Sequence, residues 1–374
     1  MSVPTLSRRS ALLGAAALTL PSWAHAARWN GYRDSVVIDG LGGPGSITAE
    51  PGQPLTDEHL KDVRDSGLTA VLVTIGAVGT MSSESAFTEA VRSMLDFDRE
   101  IMRRPDTFVG IRTGSDIAAA KRAKRTGLIY GVQDGVAFES ALDRLQDLYQ
   151  LGLRVVQPTY NRRNLLGDGC METSNAGLSR TGIECIERLN ALGILVDLSH
   201  CGRQTSADAI RASRKPVAFT HTGCAAVIDH PRHRTDAELR AVAAKGGVCG
   251  VFIMPYLTGG KQPTAADVIR HLEHMLNVAG EDHVSIGTDG TISPAVIDQK
   301  YKDTFAETTR QRKEAGIAAP GETEDGYLFA NDLNTPRRLE TLGEMLAQRG
   351  HKAARIEKIL GGNLLRVFKD VWGA

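Results

Sequence analysis

Two apolar runs, Ile194-Leu-Val-Asp-Leu-Ser-His200 and Pro216-Val-Ala-Phe-Thr-His221, decide the fold class of this chain. Each run is typical of a buried strand in a parallel sheet, and each ends on a histidine. Barrels of alternating strands and helices place their chemistry at the C-terminal ends of the strands. Two imidazoles on neighbouring strand ends are half of a metal site, so we predict that His200 and His221 bind a metal ion.

The same pattern recurs along the chain. Further apolar runs lie at 36–39, 70–74, 108–112, 128–133, 153–160, 247–253 and 284–289. Helical patterns lie between them at 140–151, 182–192, 206–212, 236–244 and 265–279. This alternation predicts an α/β fold, a (β/α)8 TIM barrel of the metal-dependent hydrolase type, with one run as an accessory strand. No Gly-x-Gly-x-x-Gly follows the first run, which weighs against a dinucleotide-binding fold.

The first residues read as an export signal. Ser7-Arg8-Arg9-Ser10 is a twin-arginine start, an apolar stretch follows at 15–20, and Ala24-His25-Ala26 is a small-x-small cleavage site. We predict a twin-arginine signal peptide at 1–26, a periplasmic or extracellular location, and no permanent membrane anchor, since the apolar stretch is too short. Residues 27–374 are predicted to form a single barrel domain with a C-terminal helical region, and 299–336 a polar insertion.

Charge and cysteine content exclude several classes of protein. The 44 basic and 44 acidic residues give a formal net charge of zero, which argues against a nucleic-acid partner. The five cysteines include no Cys-x-x-Cys pair, so neither a zinc ribbon nor a disulfide framework is expected. Cys201 and Cys224 follow the two histidines closely, but we favour buried, small apolar roles for them over metal binding.

The strand ends also supply other polar side chains. In chain order, the polar residues at these ends are Asp39, Gln133, Tyr160, His200, His221 and Asp289. Any one of them alone is more simply a polar group satisfied at the start of a loop. Together they suggest one polar mouth of a barrel, where a metal lowers the pKa of bound water to about 7 and a carboxylate handles the proton.

Longer motifs then identify a family resemblance. These are Leu151-Gly-Leu-Arg-Val-Val-Gln-Pro-Thr-Tyr-Asn161, Val196-Asp-Leu-Ser-His200, the second histidine run, His230-Pro-Arg232, Lys245-Gly-Gly-Val248, Ile286-Gly-Thr-Asp289 and Ile359–Phe368. In this order they resemble the membrane dipeptidase family, peptidase M19. The resemblance implies a (β/α)8 barrel with two zinc ions bridged by a glutamate, which hydrolyses dipeptides. It also implies that His200 and His221 bind one metal, Asp289 serves as acid and base, and Arg232 binds the substrate carboxylate.

The chain departs from the family pattern at the other metal. The family's first strand ends Asp-Gly-His-Asn-Asp, whereas Asp39-Gly-Leu-Gly-Gly-Pro44 lacks the histidine and the last aspartate. Gln133 stands at the position of the bridging glutamate, and Tyr160 replaces a histidine that contacts the substrate. Two nearby divalent ions repel strongly without carboxylates between them, so a dinuclear centre is not expected.

We therefore expect a single zinc ion or none. His200 and His221 would be joined by Asp289, Gln133 or Asp39, and water would complete the shell; Asp39 is favoured as a structural residue. Asp134 is a weaker candidate ligand. Tyr160 would donate a hydrogen bond to the substrate carbonyl, or simply pack at the barrel mouth.

The sequence thus predicts an exported hydrolase acting on a dipeptide or small amide, and a homodimer is an expectation from the family. Two alternatives stay open. One is a catalytically inactive homologue that binds a peptide or metabolite. The other is an enzyme with altered chemistry, such as an isomerase or lyase step on a peptide-derived compound.

Overall fold

A computed structural model of the protein describes residues 29–46, 48, 52–79 and 81–373. The predicted signal peptide at 1–26 lies outside these residues and stays a prediction. Within the described ranges, no helix is both long enough and apolar enough to cross a membrane.

Strands and helices alternate along the chain, as the sequence pattern predicts. The strands are β1 (Ile38–Gly43), β2 (Ala70–Thr74), β3 (Phe108–Gly110), β4 (Thr126–Val132), β5 (Leu153–Val156), β6 (Leu195–Asp197), β7 (Val217–Cys224), β8 (His233–Arg234), β9 (Val248–Val251), β10 (Val284–Ile286) and β11 (Gly290–Thr291). The helices are α1 (Asp57–Ser66), α2 (Ser83–Arg103), α3 (Gly114–Ala123), α4 (Arg144–Leu151), α5 (Arg180–Leu192), α6 (Arg203–Ala212), α7 (Asp236–Ala244), α8 (Ala265–Ala279), α9 (Gln299–Glu314), α10 (Arg338–Gln348), α11 (Ala353–Glu357) and α12 (Asn363–Trp372).

The sheet closes on itself through the last strand run. Its order is β10-β9-β7-β6-β5-β4-β2-β1-β11, and its strand pairs are parallel. β10 pairs with β9, while β11, four residues further along, pairs with β1 through Gly42 and Gly290. Because one run from 284 to 291 contacts both ends of the sheet, the described residues form a barrel with eight strand positions. This confirms the predicted fold class.

Two strands stand outside the barrel. β3 pairs with the beginning of β4, and β8 pairs with the end of β7. The run at 108–112 is therefore the accessory strand that the sequence pattern allowed for.

The C-terminal helical region covers one end of the barrel. On α12, Leu364, Val367, Phe368 and Val371 recur at helical spacing and are buried. They belong to one apolar cluster with Ile38, Ala70, Leu195 and Val248, which are the first residues of β1, β2, β6 and β9. The helix therefore covers the N-terminal mouth of the barrel, and the C-terminal mouth remains for chemistry.

Glycines relieve crowding in the barrel interior. A Cβ atom on Gly250 would lie 2.0 Å from the carbonyl oxygen of Thr220, and one on Gly287 would lie 2.2 Å from the same oxygen. Only residues without a side chain allow β9 and the end of β10 to approach β7 so closely.

A shift of register lies at His221. The pairing of β7 with β9 slips between Phe219 and Thr222, and such irregularities often re-aim a side chain beside an active site. The sequence pattern predicted His221 at the end of its strand. In the structure β7 continues to Cys224, so His221 projects from within the strand, at the bulge.

Asp39 joins the first and last strand runs. Its carboxylate accepts hydrogen bonds from the backbone N–H of Thr288 at 2.8 Å, the Thr288 hydroxyl at 2.7 Å and the Leu41 N–H at 3.3 Å. Burial raises the pKa of Asp39 to about 6, against the opposing effect of the Thr288 hydrogen bonds. Asp39 is thus engaged in barrel closure, in agreement with the structural role favoured from the sequence.

Replacing Asp39 by alanine should destabilise the barrel. The Asp39→Ala variant leaves the buried donors of Thr288 and Leu41 without their acceptor, and we expect the free energy of unfolding to fall by about 3 kcal/mol. Urea unfolding followed by far-UV circular dichroism measures this change, with the exposed Asp34→Ala as control. Equal midpoints for the two variants would contradict the role of Asp39 in closure.

Candidate active site

The hydrogen bonds of His200 fix which ring nitrogen carries the proton. Its Nδ1 lies 2.6 Å from Oδ1 of Asn161. The Asn161 amide nitrogen donates to the carbonyl of Ile317 at 2.7 Å, so its Oδ1 must be the acceptor. His200 Nδ1 therefore donates, and its Nε2 keeps a lone pair.

Asp197, the last residue of β6, organises the second histidine. It is fully buried and accepts five hydrogen bonds, from the backbone N–H and hydroxyl groups of Ser199 and Thr220 and from the side-chain amide of Gln157. The Thr220 hydroxyl donates its single proton to Asp197 at 2.6 Å. At 2.9 Å from Nδ1 of His221 it can then only accept. His221 Nδ1 therefore also carries the proton, and its Nε2 also keeps a lone pair.

The two Nε2 atoms face each other. The Nε2 atoms of His200 and His221 are 3.0 Å apart, and with both protons at Nδ1 this contact is not a hydrogen bond. Burial first, and then Arg232, hold the pKa of both rings well below the usual range. Neutral imidazoles with Nδ1 held by a second partner are the form in which histidines bind metals. The pair is therefore suited to a cation between the two nitrogens.

Arg232 lies beside this pair. It is 1% exposed, and its guanidinium donates to the carbonyl of Ser199 at 2.7 Å and to Nε2 of His200 at 3.0 Å. The ring of Phe252 lies below the guanidinium, 5.6 Å from its carbon. The residue predicted to bind a carboxylate is thus in the site, where one of its arms occupies the lone pair that a metal would use.

Tyr160 stacks on the ring of His200. The ring centroids are 4.0 Å apart and the planes differ by 23°. Burial raises the pKa of Tyr160, so its hydroxyl stays protonated. That hydroxyl accepts a hydrogen bond from Arg312 at 3.2 Å and retains its own proton for a substrate atom.

Arg312 is a site residue that the sequence analysis missed. It lies on α9, inside the region predicted as a polar insertion, and is held by a two-pronged ion pair with Glu322 at 2.7 and 2.9 Å. Glu322 also accepts from the Tyr256 hydroxyl at 2.6 Å. The sequence offered one indication that Arg312 could reach the site. The insertion follows the last strand run, and segments that follow barrel strands cover the C-terminal mouth.

Asp289 has an unusual backbone and a free carboxylate. Its φ is +58°, and its N–H donates to the carbonyl of Leu41 at 2.8 Å. Burial raises the pKa of Asp289 to about 6, against the lowering effect of Arg232 and Arg312, and no described residue contributes a hydrogen bond. A non-glycine residue in the left-handed region is uncommon, and such residues cluster at functional sites.

Gln133 and Asp134 have other partners. The Gln133 amide nitrogen donates to the Thr74 hydroxyl at 2.7 Å. Asp134 accepts from the side-chain amide of Asn164 at 3.0 Å and caps the turn at Val136. Burial raises the pKa of Asp134 to about 6. Asp134 therefore serves loop structure, whereas metal binding by Gln133 stays a prediction.

Within the described residues, no third acidic, histidine or cysteine side chain completes a metal site with His200 and His221. Among the residues that the structure describes, no three His, Cys, Asp or Glu side chains lie close enough together to hold a metal ion. All five cysteines belong to this part of the chain and are free, and Cys201 and Cys224 are buried, as predicted. The site therefore offers two nitrogen ligands, which fit one ion, and leaves its other positions to water, substrate or an oxygen such as that of Gln133.

Comparison with known proteins places this site in a family. The sequence model of the membrane dipeptidase family, peptidase family M19, matches residues 47–319. Dipeptidase verJ of Clonostachys rogersoniana is 31% identical over 203 residues, which are 54% of this chain and 52% of that protein. The chain thus spans about half the length of this curated relative.

Solved structures share the fold over nearly the whole chain. An amidohydrolase from Pseudomonas aeruginosa is 32% identical, with a TM-score of 0.78, and the match covers 92% of this chain and 98% of that one. A metallopeptidase from Rhodobacter sphaeroides, solved with a phosphinate mimic of the dipeptide L-Ala-D-Ala, is 18% identical with a TM-score of 0.72 over 91% and 100% of the two chains. The second likeness concerns the fold alone. The barrel, the extent of the family match and the first structural relative together establish that this chain belongs to the membrane dipeptidase family, peptidase M19.

Proposed function

We propose that the protein hydrolyses a dipeptide or a similar small amide, with one divalent metal ion held by His200 and His221. The observation that carries this proposal is the pair of Nε2 atoms 3.0 Å apart, with the Nδ1 of each ring held by Asn161 or by Thr220. Family membership and the dipeptidase named among the relatives support the substrate class. A bound zinc ion would polarise the scissile carbonyl and lower the pKa of water.

The remaining roles follow from the chain's own groups. Asp289 presents a carboxylate without a protein hydrogen bond, which suits a base that takes a proton from water. The Tyr160 hydroxyl has a proton to donate to the substrate carbonyl oxygen. Arg232 has one guanidinium arm anchored on the carbonyl of Ser199, and its other arm could donate to the substrate carboxylate.

Arg232 and a metal ion compete for the same lone pair. The nearer arm of Arg232 donates to Nε2 of His200, while its other arm is anchored on the carbonyl of Ser199. If His200 Nε2 held a metal, the first arm of Arg232 would lose that acceptor while its other arm stayed on Ser199. The freed arm is then available to a carboxylate, so metal and substrate binding should reinforce each other.

The contact between Arg232 and His200 Nε2 favours a second candidate function. If Arg232 keeps the lone pair of His200, the protein binds a small peptide or metabolite through the guanidinium and does not cut it. The lack of a third acidic, histidine or cysteine ligand among the described residues supports this alternative. Export by the twin-arginine route remains a proposal that concerns either function.

Metal content separates the two candidates. Protein produced with added zinc should retain about one equivalent per chain, and the His200→Ala and His221→Ala variants should each lose most of it, because these two histidines supply both nitrogen ligands of the proposed site. Atomic emission spectroscopy measures this, with His274→Ala on an outer helix as control. Retention below a tenth of an equivalent, together with dipeptide binding that survives chelation, would favour the binding protein.

Activity should fall in acid because of Asp289. A pKa of about 6 means that the carboxylate is protonated, and cannot act as a base, below that pH. For zinc-loaded enzyme we expect kcat/KM for a dipeptide to rise with pH through about 6, and Asp289→Asn to lower kcat by roughly 100-fold or more with zinc content unchanged. An Asp289→Asn enzyme with normal kcat would exclude Asp289 as the base.

A further inference from the structure

Arg234 is a buried arginine to which the proposed function gives no role. It lies in β8, two residues after Arg232, and its side chain is fully buried. The guanidinium carbon is 4.7 Å from the centre of the Phe219 ring, and Glu238 at 3.3 Å is its ion-pair partner. A buried charge is tolerated only where it is paired and hydrogen-bonded, so the other contacts of Arg234 indicate what it does.

The guanidinium of Arg234 spans the turn that carries His200. This turn links β6 to α6 and is closed by a hydrogen bond from the N–H of Cys201 to the carbonyl of Leu198 at 3.0 Å. One arm of the guanidinium donates to the carbonyls of Leu198 at 3.1 Å and Ser199 at 2.7 Å. The other arm donates to the carbonyl of Cys201 at 2.8 Å. One rigid planar group therefore holds the backbone on both sides of His200.

The Ser199 carbonyl joins Arg234 to Arg232. It accepts a hydrogen bond from each guanidinium at 2.7 Å, and a carbonyl oxygen has two lone pairs with which to do so. The other arm of Arg232 donates to Nε2 of His200. A displacement of the Ser199 carbonyl would therefore move the anchor of Arg232 and the backbone next to His200 together.

Glu238 holds Arg234 in place from the side of α7. Its Oε1 accepts from Arg234 at 3.3 Å, while its Oε2 accepts from the backbone N–H of Thr235 at 2.9 Å and from the Thr235 hydroxyl at 2.8 Å. The contacts with Thr235 cap the beginning of α7. Arg234 thus connects β8 and the beginning of a helix to the turn after β6.

We infer that Arg234 is a positioning residue, which sets the place of His200 Nε2 and the anchor of Arg232 through the carbonyls of the turn at 198–201. This inference rests on the proposed function, in which that geometry holds a metal ion and a substrate carboxylate. Arg234 acts through other residues, because its guanidinium donates to backbone carbonyls and to Glu238.

The zinc affinity of the Arg234→Lys variant tests the inference. Lysine keeps the positive charge, but its single ammonium lacks the planar fork that reaches both sides of the turn. We expect the Kd for zinc, measured by competition with a chromogenic chelator, to rise by about tenfold or more, because groups that orient metal ligands typically contribute that much to affinity.

Arg154 offers a matched control at the other end of the barrel. It is a buried arginine that donates to the carbonyls of Arg112 at 2.7 Å, Tyr149 at 3.1 Å and Leu153 at 2.7 Å. It lies near the beginning of β5, where Trp372 of α12 donates to its carbonyl. Arg154→Lys should lower the midpoint of thermal unfolding, as Arg234→Lys does, but keep the wild-type Kd for zinc. Kd values for the two variants that agree within about twofold would overturn the inference.

Histidine spectra keep the test separate from the proposed function. If wild-type protein binds no zinc, the proposed function is contradicted, and ¹H–¹⁵N spectra of the metal-free protein decide the role of Arg234. In Arg234→Lys the ring resonances of His200 should shift or broaden, and those of His221, which is held through Thr220, should change less. In that case, wild-type resonances for His200 in folded Arg234→Lys would overturn the inference.

Glu238→Gln carries the same comparison if Arg234→Lys does not fold. Glutamine deprives the guanidinium of its carboxylate partner but keeps an acceptor for Thr235, so the Kd for zinc and the His200 resonances should change in the same direction by a smaller amount. Glu187→Gln, which changes an exposed carboxylate on α5, is its control. Equal zinc Kd values and equal His200 resonances for these two variants would then overturn the inference.

Discussion

The carboxylate of Asp197 is the interaction on which the site depends. It binds the backbone N–H groups that follow β6 and lie within β7, and so fixes the spacing of the two strands that carry His200 and His221. It also takes the single proton of the Thr220 hydroxyl, which leaves that oxygen able only to accept from His221. One buried charge therefore sets both the position of a histidine and the nitrogen on which it carries its proton. Because Asp197 accepts five hydrogen bonds, its charge is compensated without a cation.

Positive charge dominates the space around the histidines. Arg232 and Arg312 both lie near His200, and both act with burial to keep its ring neutral. Neutral rings unprotonated at Nε2 are good ligands, but the neighbouring guanidiniums oppose a second positive ion. Glu322 offsets Arg312, whereas no acidic side chain among the described residues pairs with Arg232. The positive charge of Arg232 therefore favours one metal ion over two. A substrate carboxylate bound to Arg232 would also neutralise its charge.

Much of this fold could be predicted from the sequence because strands and helices have local signatures. The apolar runs correspond to β1–β7, β9 and β10, and the helical patterns to α4–α8, with differences of a few residues at the ends. The first run was placed too early: β1 extends to Gly43 because its glycines pair with β11, a contact that no local pattern encodes. His200 and His221 were found because adjacent parallel strands bring their ends together.

Other parts of the site depend on contacts between distant segments. Asn161 selects the proton position on His200 only because α9 and the turn after it offer the Ile317 carbonyl to its amide. Arg312 reaches Tyr160 from the region that appeared in the sequence only as a polar insertion.

Metal binding at this site requires that His200 and His221 are both neutral, protonated at Nδ1 and unprotonated at Nε2. Long-range ¹H–¹⁵N correlation spectra of metal-free protein labelled at histidine test this directly at pH 7, with His200→Ala and His221→Ala used for assignment. We predict that both rings show the Nδ1–H tautomer and that added zinc shifts their Nε2 resonances. An Nε2–H tautomer or an imidazolium at either residue would contradict it.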